Sequence, residues 1–209
     1  MIVIIDYDTG NTKSISKALD FIGLQNKISS DTTEIAQADG VILPGVGAYP
    51  EAMQELTRRG LNKTLKEIAA GGKPILGVCL GMQLLLESSN EHGYTKGLGL
   101  IPGHVDMLLP DESEFAVPHM GWNQLEIKRT TPLTKKLAGE YVYYVHSYYA
   151  NCPEDYIIAT SGYSINIPGM INNGNIYGAQ FHPEKSSQIG LEILKGFKEV
   201  IRSCKSSQQ

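Results

Sequence analysis

The first 90 residues alternate between short runs suited to strands and longer amphipathic stretches. Ile15, Leu19 and Ile22 recur at helical spacing in one such stretch, and Gly23 follows as a stop signal. The pattern predicts the order β-α-β-α-β-α-α-β-α, with strands at 2–5, 27–29, 40–43 and 75–78. This alternation is typical of an α/β fold built on a doubly wound, mostly parallel sheet with helices on both faces.

The second half of the chain has a different pattern, in which prolines separate short aromatic and β-branched stretches. These stretches predict an antiparallel β extension, with strands at 114–117, 124–128, 140–145, 156–161, 170–172 and 175–181. Asn173-Gly174 is predicted as a hairpin turn. A last helix is predicted over 186–203, followed by a frayed tail at 204–209. The most loop-like stretch, 108–114, is too short for a flexible linker, so residues 1–209 are predicted to form a single domain.

Composition excludes several classes of protein. The net charge of −4 and the pI near 5.7 argue against a nucleic-acid-binding protein, which needs a basic face. No apolar run reaches the ~18 residues of a membrane span, and the start of the chain lacks the features of a signal peptide. The three cysteines are odd in number and show no metal-binding spacing. We therefore predict a cytoplasmic protein without a membrane anchor or a bound metal.

The predicted strand at 75–78 is followed by a candidate nucleophile. Cys79 lies between Gly77 and Gly81, where the strand turns into a predicted helix that carries Leu84, Leu85 and Leu86. Small residues on both sides let the chain make a sharp corner that exposes the central side chain. The N–H groups at the start of the helix favour a thiolate, and Leu80 N–H is placed to bind an oxyanion. A lone cysteine in an apolar run is more often a buried small hydrophobe, so a second signal is needed.

That second signal is His182-Pro183-Glu184, which follows the predicted strand at 175–181. A thiol nucleophile needs a base, and the base needs an orienting group. Proline fixes the turn, so the carboxylate of Glu184 can hold one ring nitrogen of His182 and leave the other for the thiol. Since both motifs follow strands, we expect them at the same edge of the sheet. Alone, His-Pro-Glu is often only a turn; together, the two motifs predict a thiol hydrolase.

The two motifs resemble those of the class I, triad-type glutamine amidotransferases. Over nearly the whole chain, further segments are similar to the family of glutaminase subunits of imidazole glycerol phosphate synthase, an enzyme of histidine biosynthesis: Asp6-Tyr7, Gly10-Asn11, Pro44-Gly45-Val46-Gly47, Pro118-His-Met-Gly-Trp-Asn123, Val145-His-Ser-Tyr148 and His182-Pro-Glu-Lys-Ser186. The resemblance implies a flavodoxin-like sheet and the hydrolysis of L-glutamine to L-glutamate and ammonia, without a cofactor or a metal.

The resemblance also implies roles for individual residues. Cys79 is the nucleophile, His182 the acid and base, and Glu184 the group that orients His182. The oxyanion is held by the N–H groups of Val46 and Leu80. The implied glutamine-binding residues are Gly45, Gln83, His146, Ser147 and Tyr148.

The implied partner is a (β/α)8-barrel cyclase subunit, which forms a heterodimer with the glutaminase and uses its ammonia. Trp122, taken alone, is more often a core residue, but the family pattern makes it a partner-facing anchor. Asn11 and Lys185 match partner-facing positions on the same side. One departure from the family pattern is Asp8, which stands where glycine is common; aspartate tolerates left-handed dihedral angles better than most residues.

Three alternatives stay open at this point. A glutaminase of another synthase, such as one of anthranilate or purine synthesis, shares the triad and differs in its partner. A stand-alone γ-glutamyl peptidase with the same triad would act without a partner. A non-catalytic scaffold would bind a synthase and turn nothing over, although such a role requires none of Cys79, His182 and Glu184.

Overall fold

The first half of the chain has the predicted alternation of strands and helices. The structure is a computed structural model that describes residues 1–109 and 115–206. Its elements up to residue 84 are, in order, β1 (Ile2–Ile5), α1 (Thr12–Phe21), β2 (Asn26–Ser29), α2 (Thr32–Gln37), β3 (Gly40–Leu43), α3 (Tyr49–Arg58), α4 (Leu61–Ala70), β4 (Ile75–Val78) and α5 (Leu80–Leu84). The predicted order β-α-β-α-β-α-α-β-α is confirmed.

The second half consists mainly of short strands and ends in one long helix. In order, the elements are β5 (Ser88–Ser89), β6 (Thr95–Lys96), β7 (His104–Met107), β8 (His119–Gln124), β9 (Glu126–Ile127), β10 (Tyr141–His146), β11 (Tyr148–Asn151), a 3-10 turn (Glu154–Tyr156), β12 (Ile157–Gly162), β13 (Asn166–Asn173), β14 (Ile176–Ala179), a 3-10 turn (Pro183–Lys185) and α6 (Ser187–Ser206).

Eight strands form the main sheet, in the order β2-β1-β3-β4-β14-β13-β12-β9. The five strands β2, β1, β3, β4 and β14 are parallel to one another. The remaining three, β13, β12 and β9, pair antiparallel. The parallel part has the flavodoxin-like order, in which ligands bind beyond the carboxyl ends of the strands. The mostly parallel sheet and its antiparallel extension are therefore confirmed. Two smaller sheets, β8–β10 and β11-β7-β5-β6, lie outside the main sheet.

The core lies on both faces of the main sheet, because alternate residues of each strand point to opposite sides. In β1, Ile2 and Ile4 pack into one cluster, which includes apolar residues of α1 and α6. Val3 and Ile5 pack into the other cluster, with apolar residues of α2, α3, α4 and α5. All four residues are buried. The continuous apolar run of β1 thus reflects a strand covered by helices on both sides.

Helix boundaries follow local signals in some places and tertiary contacts in others. Asp31 caps α2 as expected, since its carboxylate accepts hydrogen bonds from the N–H groups of Thr33 (2.8 Å) and Glu34 (3.0 Å). The helix after the cysteine is shorter than predicted: α5 ends at Leu84, so Leu85 and Leu86 lie beyond it. The last helix is longer than predicted: residues 204–206 of the expected frayed tail are helical, and 207–209 lie outside the described residues.

Sequence pattern was least informative for the strands of the second half. The strand predicted at 114–117 is absent at 115–117, and residue 114 lies outside the described residues. Strands β5, β6, β7, β8 and β11 were not predicted. They are short and carry polar or exposed side chains, so their extended conformation depends on partner strands rather than on an apolar pattern. The predicted hairpin joins β13 to β14, but Asn173 pairs with Ile176, which shifts the turn by one residue to Gly174-Asn175.

In residues 1–109 and 115–206, no helix has both the length and the apolar character needed to cross a bilayer.

Candidate active site

The ends of three parallel strands open into one pocket. The loops after β3, β4 and β14 bring Val46, Cys79 and His182 to the walls of a cavity of about 360 Å³. The rest of the wall is formed by Gly47, Leu80, Gln83, Glu91, Pro118, Val145, His146, Ser147 and Tyr148. The expectation that the Cys79 and His182 motifs lie at the same edge of the sheet is therefore confirmed.

Cys79 occupies a strained corner, as the flanking glycines suggested. Its backbone has φ 55° and ψ −113°, a combination that costs free energy for a residue with a side chain. The chain passes so close to itself here that a methyl group on Gly77 would lie 2.6 Å from the carbonyl oxygen of Gly81. A methyl group on Gly81 would overlap the carbonyl oxygen of Leu43. The two glycines are thus required by sterics, and the corner directs the thiol into the pocket.

His182 and Glu184 form the expected pair. His182 Nδ1 lies 2.8 Å from Glu184 Oε1, and both side chains are buried. Within the described part of the chain, the second ring nitrogen, Nε2, has no hydrogen-bond partner, so it is free to serve the thiol. Burial by itself lowers the pKa of His182, but the nearby Cys79 and Glu184 outweigh burial and raise that pKa to about 9. Since no formed bond joins Nε2 to the sulfur, we attribute the effect of Cys79 to proximity and charge.

The two predicted oxyanion donors both reach the pocket wall, from different elements. Leu80 is the first residue of α5, where an N–H group has no acceptor inside the helix. Val46 lies in the turn after β3 and is 45% exposed. Its neighbour Gly47 has φ 103°, a conformation that L-residues rarely adopt. Gly45, predicted as a substrate residue, is not among the lining residues of the pocket; it packs behind the turn, where a methyl group would lie 2.9 Å from Leu80 Cβ.

The predicted glutamine-binding residues form a connected wall of the pocket. Gln83 is buried, and its amide Nε2 donates to the carbonyl oxygen of Tyr148 (2.8 Å) and to Gln180 Oε1 (3.1 Å). His146 Nδ1 lies 2.9 Å from the same Tyr148 oxygen. Burial lowers the pKa of His146 to about 4, so this imidazole is neutral while His182 is cationic near neutral pH. Ser147 lies between His146 and Tyr148 in the sequence and also lines the cavity.

Behind this wall lies a polar chain that the sequence did not reveal. His119 Nδ1 lies 2.9 Å from His146 Nε2, and His119 Nε2 lies 2.7 Å from Asn123 Oδ1. The His119 ring stacks between Tyr144 and Tyr163, with centroid distances of 4.8 and 4.0 Å. Residues 119 and 123 fall between the strands predicted at 114–117 and 124–128, because the apolar pattern did not predict β8. The chain fixes the orientation of His146.

Glu91 is the acidic residue of the pocket wall that sequence reasoning missed. It is buried, and its Oε2 accepts a hydrogen bond of 2.9 Å from the backbone N–H of Tyr49 at the start of α3. A helix N-terminus stabilises a carboxylate. Glu91 lies in a short loop without a motif, so only the fold places it in the pocket. Pro118, also a lining residue, was noted only as part of a family motif.

The three predicted partner-facing residues lie in different environments. Trp122 is 51% exposed on β8 and packs edge-on against Tyr143 on β10, with ring centroids 5.9 Å apart. Its interpretation as a core residue is therefore wrong. Lys185 Nζ lies 5.9 Å from the centre of the same Tyr143 ring. Asn11 instead points inward, and its Nδ2 donates to Glu184 Oε1 at 3.1 Å.

Comparison with known proteins agrees with this geometry. A family model described as "Glutamine amidotransferase class-I" matches residues 3–199. The chain is 93% identical over 209 residues to the imidazole glycerol phosphate synthase subunit HisH of Listeria monocytogenes serotype 4b (strain CLIP80459), covering 100% of both chains. The chain belongs to the HisH family of class-I glutamine amidotransferases. It is also 53% identical over 201 residues to HisH of Streptococcus sanguinis (strain SK36), covering 96% of this chain and 97% of that one.

Solved structures support the same fold. A chain in the structure of PurLQS from Thermotoga maritima superposes with a TM-score of 0.74 at 20% identity, covering 95% of this chain and 97% of that chain. At this level of identity, the likeness concerns the fold alone. It supports the α/β architecture.

Proposed function

We propose that this chain is the glutaminase subunit of imidazole glycerol phosphate synthase in histidine biosynthesis, and that it hydrolyses L-glutamine to L-glutamate and ammonia. The ammonia passes to a (β/α)8-barrel cyclase, which forms imidazole glycerol phosphate and aminoimidazole carboxamide ribonucleotide. The observation that carries the proposal is the buried His182–Glu184 hydrogen bond beside Cys79, in a chain that belongs to the HisH family. The three cysteines lie in no disulfide, which supports a cytoplasmic location.

The first half of the reaction forms a thioester. The Cys79 sulfur, as a thiolate, bonds to the carboxamide carbon of glutamine, and the carbonyl electrons move to the oxygen. His182, which is cationic because Cys79 and Glu184 raise its pKa to about 9, then gives its proton to the amide nitrogen. The carbon–nitrogen bond breaks, ammonia leaves, and a γ-glutamyl thioester and a neutral imidazole remain.

The second half of the reaction releases glutamate. Water attacks the thioester carbon while His182 Nε2 takes the proton of the water, and Glu184 Oε1 holds Nδ1 throughout. The carbon–sulfur bond breaks, which restores the thiolate and the imidazolium. In both halves, the developing oxyanion is held by the N–H groups of Leu80 and Val46. One such donor contributes roughly 3 kcal/mol to the lowering of the barrier.

The pocket chemistry supports glutamine as the substrate. Gln83, His146, Ser147 and Tyr148 line the side of the cavity next to Cys79. Glu91 adds a buried carboxylate on the wall, which matches the α-ammonium group of a free amino acid. Gly45 acts indirectly, since it lets the turn that carries Val46 approach Leu80.

A partner is part of the proposal because free ammonia would be protonated in water and would lose its nucleophilicity. Trp122 and Lys185 both lie close to the Tyr143 ring and form an exposed aromatic and cationic surface. Met120, on the same strand as Trp122, is 61% exposed. We propose that the cyclase docks on this surface and that Asn11 lies at its inner edge.

The test is glutamate release from glutamine by this chain alone, with the barrel cyclase, and with the cyclase and its ribonucleotide substrate. We expect low activity alone and a large increase with both. Full activity alone, especially on γ-glutamyl peptides, would support the stand-alone peptidase. Activation by the synthase partner of another pathway, and none by this cyclase, would support a different biosynthetic glutaminase.

A further inference from the structure

The loop that follows β1, residues 6–11, contacts both halves of the catalytic site. It begins at the carboxyl end of β1, next to β3, and ends at Asn11, where α1 starts. The proposed function gives its central residues no role and gives Asn11 only a role at the partner surface. Two side chains of the loop nevertheless point inward, one to the Pro44–Gly47 turn and one to the triad.

Tyr7 holds the turn. Its side chain is fully buried, and its hydroxyl donates a hydrogen bond of 2.6 Å to the carbonyl oxygen of Pro44. That carbonyl belongs to the same rigid peptide unit as the N–H of Gly45, so the bond fixes the plane in which the turn begins. A methyl group on Gly45 would lie 2.7 Å from the Tyr7 hydroxyl and 2.9 Å from Leu80 Cβ. Tyr7, the turn and the nucleophile corner are therefore in direct contact.

Asn11 holds the triad carboxylate. Its Nδ2 donates to Glu184 Oε1 (3.1 Å), the same oxygen that lies 2.8 Å from His182 Nδ1. The Glu184 side chain is fully buried, and its second oxygen, Oε2, has no partner among residues 1–109 and 115–206. Although Asn11 occupies the N-cap position of α1, its side chain makes no capping hydrogen bond. Its side-chain amide donates to the Glu184 carboxylate instead.

The middle of the loop is also fixed. Asp8 adopts φ 64°, in the left-handed region that aspartate tolerates, and its carboxylate forms an ion pair with Arg59 at the end of α3. The N–H of Asp8 donates to Asp6 Oδ1 at 3.2 Å. Aspartate in place of the glycine common at this position thus adds a contact to α3 without disturbing Tyr7 or Asn11.

We propose that Tyr7 and Asn11 are positioning residues of the glutaminase, so that one loop holds the oxyanion turn at one end and the triad carboxylate at the other. Neither side chain touches the reacting atoms. Tyr7 acts on the turn that carries the Val46 N–H, through the Pro44–Gly45 peptide, and Asn11 acts on His182 through Glu184. The inference rests on the proposed function. It identifies the loop at residues 6–11 as the element that holds the Pro44–Gly47 turn and the triad carboxylate in place relative to each other.

The Tyr7 half is tested by Tyr7→Phe, with Tyr49→Phe as a matched control. Both tyrosines are fully buried, but the Tyr49 hydroxyl has no hydrogen-bond partner in the described structure, and phenylalanine preserves the backbone N–H that holds Glu91. Assayed with saturating cyclase and ribonucleotide, Tyr7→Phe is expected to lower kcat by about tenfold with little change in KM, since one buried hydrogen bond to a positioning carbonyl is lost. Tyr49→Phe is expected to match the wild type. A kcat for Tyr7→Phe within about twofold of that of Tyr49→Phe would overturn this half.

The Asn11 half is tested by Asn11→Ala, with Asn175→Ala as its control. Asn175 Nδ2 donates 2.8 Å to the carbonyl of Gly72 at the opposite end of the sheet, a bond of the same type that is remote from the pocket. Asn11→Ala is expected to lower kcat by about tenfold or more, both in the isolated chain and in the complex, because a hydrogen bond to a charged acceptor is lost. A loss confined to the complex would mean that Asn11 serves the partner surface only.

Asn11→Asp gives a signature that packing alone does not produce. It places a second carboxylate beside the Glu184 and His182 pair, and the added negative charge favours the cationic form of His182, whose pKa is already raised to about 9. The alkaline limb of the kcat profile is therefore expected to move to higher pH by about one unit or more. An unmoved profile would overturn the Asn11 assignment. A wild-type complex that releases no glutamate would overturn the proposed function and this inference together, whereas an active wild type with unaffected variants would overturn this inference alone.

Discussion

The corner at Cys79 and the Pro44–Gly47 turn both reach the pocket, yet they are packed in opposite ways. At the corner, a methyl group on Gly77 or Gly81 would run into backbone atoms. At the turn, Gly47 has nothing within 4 Å of the position a methyl group would take, and Val46 is 45% exposed. Close packing fixes the thiol, whereas the turn is held mainly at its first peptide. Beyond Gly45, the turn can therefore shift without moving Cys79.

The largest expected effect comes from removing the thiol at the packed corner. Cys79→Ala is expected to abolish glutamate release, because no other group in the pocket replaces the nucleophile. Binding of the cyclase is expected to be unchanged, since Cys79 is only 7% exposed. Glutamate release and a titration of the complex check both statements; a variant that no longer binds the cyclase would show that Cys79 is structural.

A pair of glycine variants tests the packing contrast directly. Gly81→Ala forces a methyl group onto the Leu43 carbonyl, so we expect a loss of more than about 4 kcal/mol in the free energy of unfolding. Gly47→Ala meets no atoms and carries only the cost of φ 103°, about 1–3 kcal/mol. Denaturant unfolding of both variants measures the difference. Equal losses in the free energy of unfolding would show that the corner at Cys79 and the turn at Gly47 do not differ in packing.

The triad predicts a pH dependence. His182 must be protonated to release ammonia, and its pKa is raised to about 9, so wild-type kcat is expected to fall only as the pH rises through about 9. Glu184→Gln keeps the oxygen that accepts from Nδ1 but removes the negative charge that helps to raise that pKa. The alkaline limb is therefore expected to move to lower pH, and kcat to fall about 10- to 100-fold. An unshifted alkaline limb would assign the high pKa to another group.

The smallest effect on the chain itself is expected at the exposed side chain of Trp122. Trp122→Ala is expected to change the free energy of unfolding by less than about 1 kcal/mol, because the side chain is half exposed and packs mainly on Tyr143. If Trp122 anchors the cyclase, its removal weakens the complex by about 2 kcal/mol or more. Calorimetric titration with the cyclase measures this, and unchanged affinity with unchanged coupled turnover would exclude the anchor.

Much of the site could be predicted because its main side chains belong to short local sequence motifs. Gly77, Cys79 and Gly81 predicted the corner, and His182-Pro183-Glu184 predicted the pair whose hydrogen bond is 2.8 Å long. Some residues that line or support the pocket carry no such local motif. Glu91 and His119 lie in segments without a clear period, and Asn11 was assigned to the surface although its amide points to Glu184.

The sequence by itself determined the parallel half of the fold, since short buried strands and amphipathic helices have distinct periods and the turns between them carry glycine, proline and capping residues. It also predicted the strained corner at Cys79 and the His182–Glu184 pair, because strain and tautomer control need particular residues at fixed spacing. Only the tertiary structure decided the second half, where strands such as β7 and β8 are extended because a neighbouring strand pairs with them. It also decided which loops meet: Tyr7 reaches Pro44 across 37 residues and Asn11 reaches Glu184 across 173, distances along the chain that no local pattern encodes.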